Sequence, residues 1–343
     1  MIRVLVAEDS VTVREFLAAV FAADPEIQVV GQARNGVEAV RMTKELKPDV
    51  VTMDINMPLM DGLEATKHIM SEAATPIVIV SGTYDTREME VSMQALRMGA
   101  LAVIAKPSGP GSPHFKTSCR ELVDTVKAMA DVKVVPHRSW RRSIKPGRPA
   151  VELLHRKSRL QVIGVASSTG GPAALQTVLS SLPASFPVPI LIVQHIGKDF
   201  ASGLASWLGT ICPLRVKTSE PGERIEPSTV YVAPDGYHLG ISANGDVVHS
   251  DDPPIAGFRP SATYLYDSIG RAHGAAALGV VLSGMGRDGT DGLATIKACG
   301  GRVLVQDEAT SVVFGMPGAA IEAGHADAVL PLQGIASQLL ELV

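Results

Sequence analysis

Three side chains in the second half of this chain have the types and placing for nucleophilic catalysis. Ser168 lies in Ser167-Ser168-Thr169-Gly170-Gly171, directly after the aliphatic residues 162–166. His195 follows Gln194 after residues 189–193, and Asp288 lies in Gly284-Met285-Gly286-Arg287-Asp288-Gly289 after residues 278–282. A serine hydroxyl becomes a useful nucleophile when an imidazole takes its proton, and the imidazole needs a carboxylate to fix its tautomer and stabilise the imidazolium. The expected chemistry is hydrolysis by a Ser/His/Asp set. Thr169-Gly170-Gly171 turns the chain tightly into a helix near 172–181, whose first N–H groups are free to face an anion. Gly284, Gly286 and Gly289 expose the backbone around Met285 in the same way. Each part also has a plainer reading: a phosphate loop, though G-x-G-x-x-G spacing and a Walker lysine are missing; a cap for a helix starting near Thr290; a packed strand-end imidazole. Ser167 is a second hydroxyl in the same turn, and spacing does not choose between it and Ser168.

The first half carries a different set. Glu8 and Asp9 follow the aliphatic residues 2–7, and Asp54 follows 50–53. If the first and third strands are neighbours, the three carboxylates meet in one crevice, an expensive arrangement unless a hard divalent cation occupies it; oxygen ligands suit Mg²⁺. Ser81 and Lys106 end two further runs and add a hydroxyl and a cation at the same rim. Carboxylate, metal, hydroxyl and cation together are what phosphoryl transfer to an aspartate requires.

These side chains need strand ends to hold them, and the chain supplies strands in two series. At 343 residues it is long enough for two domains. Apolar residues make up 46% and aromatics 4%, so the cores are built from Val, Ile, Leu and Ala, as in parallel α/β sheets. Residues 1–130 alternate aliphatic runs at 2–7, 27–31, 50–53, 77–80 and 101–105 with helical patterns near 11–22, 36–46, 62–72, 86–98 and 116–130. The expected fold class is α/β in two domains, the first a doubly wound (βα)5 unit. Residues 131–159 are rich in Pro and Arg/Lys and read as a basic linker, a solvated tether rather than an acidic-surface or RNA contact. From 160 to 343 the alternation resumes, with strands near 230–234, 276–282, 302–306 and 327–330, giving a mostly parallel doubly wound domain. Asn244-Gly245 is expected to close an antiparallel hairpin through a type I′ turn.

The net charge of −4 offers no general attraction to nucleic acid or an anionic membrane. Cys119, Cys212 and Cys299 are an odd, widely spaced set and read as reduced, packed thiols. No stretch reaches the ~18 apolar residues of a membrane span, so a cytoplasmic protein without membrane insertion is expected.

The first half resembles the response-regulator receiver family in V-A-E-D-S at 6–10, M-D-I-N-M-P-L-M-D-G at 53–62, V-S-G-T at 80–83 and K-P at 106–107. The resemblance implies Asp54 as phospho-acceptor; Glu8, Asp9, Asp54 and the Asn56 carbonyl as Mg²⁺ ligands; and Ser81 and Lys106 as contacts to the phosphoryl group. Three residues before Lys106, where many receivers place Tyr or Phe, this chain has Val103, so an aromatic-rotamer switch lacks its side chain. The whole chain is similar to the CheB family of chemotaxis protein-glutamate methylesterases: receiver, linker, then I-G-V-A-S-S-T-G-G-P, V-Q-H-I, V-A-P-D-G-Y-H, F-R-P-S-A, L-S-G-M-G-R-D-G and Q-D-E-A-T-S-V-V-F-G-M-P. That resemblance selects Ser168 as nucleophile, with His195 as base, Asp288 as its partner, and Thr169, Gly170 and Met285 around the oxyanion. It implies hydrolysis of glutamate γ-methyl esters on the cytoplasmic helices of a chemoreceptor, glutamine deamidation as a second activity, no cofactor for the esterase, and a histidine kinase as the receiver's partner. The receiver is expected either to shield the esterase cleft until Asp54 is phosphorylated or to recruit substrate once it is.

Overall fold

The computed structural model describes residues 1–82, 91, 94–96, 98–113, 115–130, 132, 134, 160–197 and 200–343. Nearly all of the expected linker, and most of the expected helix at 86–98, lie outside them. The chain divides into two compact units, Met1–Ile144 and Lys145–Val343.

The first unit runs β1 (Ile2–Ala7), α1 (Val11–Ala22), β2 (Ile27–Ala33), α2 (Gly36–Leu46), β3 (Val50–Met53), α3 (Gly62–Glu72), β4 (Ile77–Ser81), β5 (Ala102–Ala105) and α4 (Phe115–Ala130). Its strands are parallel in the order β2-β1-β3-β4-β5. Every residue of β3 and β4 is buried, as strands covered by helices on both faces must be. Side chains start the helices: Ser10, Asn35 and Asp61 each accept the N–H three residues on. This order puts the reversal of winding between β1 and β3, whose carboxyl ends carry Glu8, Asp9 and Asp54.

The second unit contains β6 (Val162–Ser167), α5 (Gly171–Leu179), β7 (Ile190–Gln194), α6 (Ala201–Ile211), β8 (Arg215–Thr218), β9 (Thr229–Val232), β10 (His238–Ile241), β11 (Val247–Ser250), α7 (Ala262–His273), β12 (Ala277–Val281), α8 (Thr290–Ala298), β13 (Arg302–Gln306), α9 (Gly315–Glu322), β14 (Ala328–Leu330) and α10 (Leu332–Glu341). Seven of these strands form a parallel sheet, β14-β13-β12-β6-β7-β9-β8, and β10 and β11 pair separately and antiparallel. The winding reverses at β6, flanked by β7 and β12. The helix that matters most for the site is α7. It packs on β6 so closely that a Cβ on Gly164 would come within 2.6 Å of Ile269 Cδ1. The buried Tyr266 hydroxyl ties α7 to the sheet by donating to the Val280 carbonyl at 2.6 Å.

The hairpin turn differs from expectation. Asn244 is not among the residues with positive φ, whereas Gly245 has φ +82°. The Gly245 N–H closes on the Ser242 carbonyl at 3.0 Å, and the Ser242 N–H reaches the Asp246 carbonyl at 2.8 Å. The turn is therefore centred on Ala243 and Asn244 with Gly245 in the left-handed position after it, the longer alternative to a two-residue type I′ loop. The cysteines are free thiols, but Cys299 is exposed rather than packed.

Candidate functional site

Backbone register brings the three islands of the second unit together. Ser167 pairs with Gln194 across β6 and β7, so Ser168 and His195 are each one residue past a paired position. Bonds beyond the strands continue the stitching: the His195 N–H donates to the Ser167 carbonyl at 2.9 Å and the Ser168 N–H to the Ser283 carbonyl at 3.0 Å. The loop after β12 is equally close, since a Cβ on Gly284 would fall 2.9 Å from Ser168 Cβ. Only glycine lets that loop, and Met285 with it, lie against Ser168.

The two serines of the turn separate cleanly. Ser167 is fully buried, and its hydroxyl donates to Gln194 Oε1 at 2.6 Å. Ser168 is half-buried, and its hydroxyl has no hydrogen-bond partner among the described residues. Gln194 then donates through Nε2 to the carbonyls of both Ser168 (2.7 Å) and His195 (2.8 Å), clamping the two loops together.

His195 Nε2 lies 2.9 Å from Asp288 Oδ2. A carboxylate only accepts, so the neutral ring carries its proton on Nε2 and keeps its lone pair on Nδ1. That nitrogen is buried and without a hydrogen-bond partner among the described residues. Phe258 stacks on the ring with centroids 4.1 Å apart and planes 7° from parallel. Asp288 also accepts Ser261 Oγ at 2.7 Å and the Ala262 and Thr263 N–H groups, at 2.6 and 3.3 Å, where α7 begins. Burial alone would push the carboxyl up. The hydrogen bonds from His195, Ser261 and the helix end outweigh it and hold Asp288 at about 2, so it is ionised at neutral pH. Asp288 does not cap the helix that begins at Thr290, which has no side-chain cap; the helix N-terminus it binds is that of α7.

Around the Ser168 turn, no acceptor among the described residues takes the N–H of Thr169, Gly170 or Met285. The Thr169 carbonyl accepts from Ser283 Oγ at 2.8 Å, and the Gly284 peptide is fixed on both sides, to Val313 and to Met316. These bonds hold the free N–H groups in place, which is the property an oxyanion site needs.

In the first unit Glu8, Asp9 and Asp54 present oxygens within 4.8 Å of one another. Lys106 Nζ lies 2.9 Å from both Glu8 Oε2 and Asp54 Oδ1. Burial and the Asp54 charge raise the Glu8 carboxyl; burial raises Asp54 against the pull of Lys106. One lysine does not balance three acids, so this set of oxygens fits a hard divalent cation. Ser81 is buried at the end of β4, pairs in register with Ala105 and has polar partners of its own; Asn56 is exposed on the loop after Asp54. Val103 is buried.

Gln194, Ser261, Ser283 and Phe258 shape the site without standing out in the sequence. Gln194 and Ser283 end or follow aliphatic runs where a polar side chain is otherwise unneeded, and that was their signal. Ser261 and Phe258 come from the segment between β11 and α7, which carried none beyond the F-R-P-S-A motif.

Comparison with known proteins bears on the same residues. A CheB methylesterase family model matches residues 163–339, and a response regulator receiver domain model matches residues 4–113. A protein-glutamate methylesterase/protein-glutamine glutaminase of Myxococcus xanthus (strain DK1622) is 52% identical over 98% of this chain and 96% of its own. Another so named, from Anaeromyxobacter dehalogenans (strain 2CP-C), is 50% identical over 99% of this chain and 98% of its own. The crystal structure of the Thermotoga maritima CheB methylesterase catalytic domain superposes with a TM-score of 0.53 at 40% identity, covering 54% of this chain and 100% of that one. Among the described residues no helix is long and apolar enough to cross a membrane. The chain belongs to the CheB family of protein-glutamate methylesterases, with a response-regulator receiver domain, which implies Mg²⁺-dependent phosphorylation in general, ahead of its catalytic domain.

Proposed function

We propose that this chain is a phosphorylation-regulated protein-glutamate methylesterase and protein-glutamine glutaminase that works through Ser168, His195 and Asp288. The observation that carries the triad is the division of labour on the imidazole: Asp288 accepts the hydrogen bond from Nε2–H, and Nδ1 is left without a partner among the described residues, on a residue that, like Ser168, directly follows the Ser167–Gln194 pair.

Ser168 Oγ attacks the γ-carbonyl carbon of a glutamyl methyl ester while its proton passes to His195 Nδ1. The oxyanion faces the N–H groups of Thr169, Gly170 and Met285. As the carbonyl reforms, the imidazolium protonates the departing methoxide and methanol leaves. Water, losing a proton to Nδ1, then attacks the acyl-serine, giving glutamate and free Ser168. With glutamine as substrate the leaving group is ammonia, and its nitrogen must be protonated before the C–N bond breaks, which makes the amide the harder substrate. Asp288 stays ionised throughout and stabilises the imidazolium.

In the receiver domain Glu8, Asp9, Asp54 and the Asn56 carbonyl would hold Mg²⁺, which neutralises charge during phosphoryl transfer to Asp54. Lys106 and Ser81 bind the phosphoryl oxygens. The phosphoryl group adds about −1.5 to −2 charge in a crevice already short of cations, and that imbalance biases the receiver between two states. The substrate is the cytoplasmic helical region of a methyl-accepting chemoreceptor, the phosphodonor a histidine kinase, and the site of action the cytoplasm, with neither nucleic acid nor membrane insertion involved. The catalytic domain spans residues 160–343, the receiver residues 1–130, and residues 131–159 join them.

The test is methanol release from methylated chemoreceptor. The intact chain releases it and Ser168→Ala does not; release by Ser168→Ala at the wild-type rate would refute the assignment.

A further inference from the structure

The polar construction that holds Asp288 extends beyond the triad. Ser261 is fully buried, and while its hydroxyl donates to Asp288 Oδ1 at 2.7 Å, its N–H donates to His238 Nδ1 at 3.2 Å. His238 is itself fully buried. Because Nδ1 accepts, the His238 proton sits on Nε2, which donates to the Pro253 carbonyl at 3.2 Å. Its ring stacks on Tyr264 with centroids 4.9 Å apart. A neutral imidazole locked on both nitrogens therefore fixes the backbone where α7 begins. The Ser261 hydroxyl also accepts the Thr263 N–H at 3.1 Å, as a helix cap does. A cap need only accept, however, and the donation to Asp288 is not explained by capping.

We propose that Ser261, braced by His238, is a positioning residue of the catalytic relay. By holding Oδ1 it stops the carboxylate from rotating, so that Oδ2 stays aimed at His195 Nε2 and the imidazole keeps Nδ1 for Ser168. The assignment rests on the triad reading above and adds a member to it.

A fluorophosphonate probe reads the activation of Ser168 without needing the receptor. The second-order rate of labelling is measured on the full-length chain, treated with a small phosphodonor and Mg²⁺, for Ser261→Ala, Ser261→Thr, Asp288→Ala and the double variant Ser261→Ala/Asp288→Ala. Loss of one hydrogen bond to a buried charge predicts a fall of about tenfold in Ser261→Ala, and Ser261→Thr, which keeps the hydroxyl, recovers most of it. In the Asp288→Ala background the second substitution adds nothing, because the group it positions is gone. A residue that only caps α7 behaves otherwise: its effect on the melting temperature remains, and any effect on labelling multiplies with that of Asp288→Ala. If Asp288→Ala labels at the wild-type rate, the triad reading falls and this one with it. If Asp288→Ala is slow while Ser261→Ala is unimpaired, or the two losses multiply, the role of Ser261 alone is overturned.

Discussion

Two aspartates of this molecule, each at the carboxyl end of a parallel sheet, are buried almost equally, with Asp54 5% and Asp288 7% exposed, and their acidities move in opposite directions. Asp54 is raised: burial outweighs the pull of Lys106 and the Ile55 backbone N–H, and Glu8 and Asp9 lie close by. Asp288 is lowered to about 2, because His195, Ser261 and the start of α7 all donate to it. Strand-end placement is common to both and decides neither. What differs is whether the neighbours supply donors or further acids, and so one site is left wanting a cation and a phosphoryl group while the other keeps a permanent negative charge behind an imidazole.

The sharpest break of that contrast is to remove the permanent charge. Asp288→Ala lowers kcat for methanol release by about 10⁴, the loss seen when the carboxylate of a serine triad is removed. Next comes the switch: phosphodonor with Mg²⁺ raises the esterase activity of the intact chain about tenfold, a bias of only ~1.4 kcal/mol, and Asp54→Ala shows no rise.

Acid titration sharpens the comparison by its sign. A carboxyl whose acidity is depressed on folding contributes stability above its unfolded value that is lost as pH falls through its folded value. For Asp288, going from 3.8 unfolded to about 2 folded, that contribution is roughly 2 kcal/mol, lost between about pH 4 and pH 2. Calorimetry should show the catalytic domain losing it in that window, and Asp288→Asn lacking the titration. Glu8 and Asp54 are raised, so their ionisation costs the receiver stability at neutral pH, and the cost is relieved as pH falls through their folded values. Millimolar Mg²⁺ at neutral pH therefore raises the receiver's melting temperature by a few degrees, and Asp54→Asn raises it without metal. A receiver stabilised by neither would contradict the charge imbalance.

Strand ends were the legible part. Aliphatic runs of four to six residues, cut off by one polar side chain, located Asp54, Ser81, Lys106, Ser168 and His195 within a residue of where β-strands stop, with Asp288 further along the loop after β12, because a fully buried parallel strand tolerates polarity only at its end. β8 was not legible: Arg-Val-Lys-Thr is an edge strand with partial exposure and has no apolar run to announce it. The Asn244-Gly245 turn was misjudged because the dipeptide fits two hairpin geometries, and the Ser242–Asp246 bond chose the longer. The Ser167–Gln194 bond that tells Ser167 from Ser168 spans 27 residues, and the donors that depress Asp288 come from Ser261 and Ala262, 27 and 26 residues away, and from His195, 93 residues away. Local pattern carries no trace of such contacts.

The most direct measurement is mass-spectrometric mapping of the fluorophosphonate adduct on the full-length chain. The account predicts one adduct, on Ser168, absent in Ser168→Ala and strongly slowed in His195→Gln. An adduct on Ser167 or another residue, or labelling of Ser168 that is indifferent to His195, would contradict it.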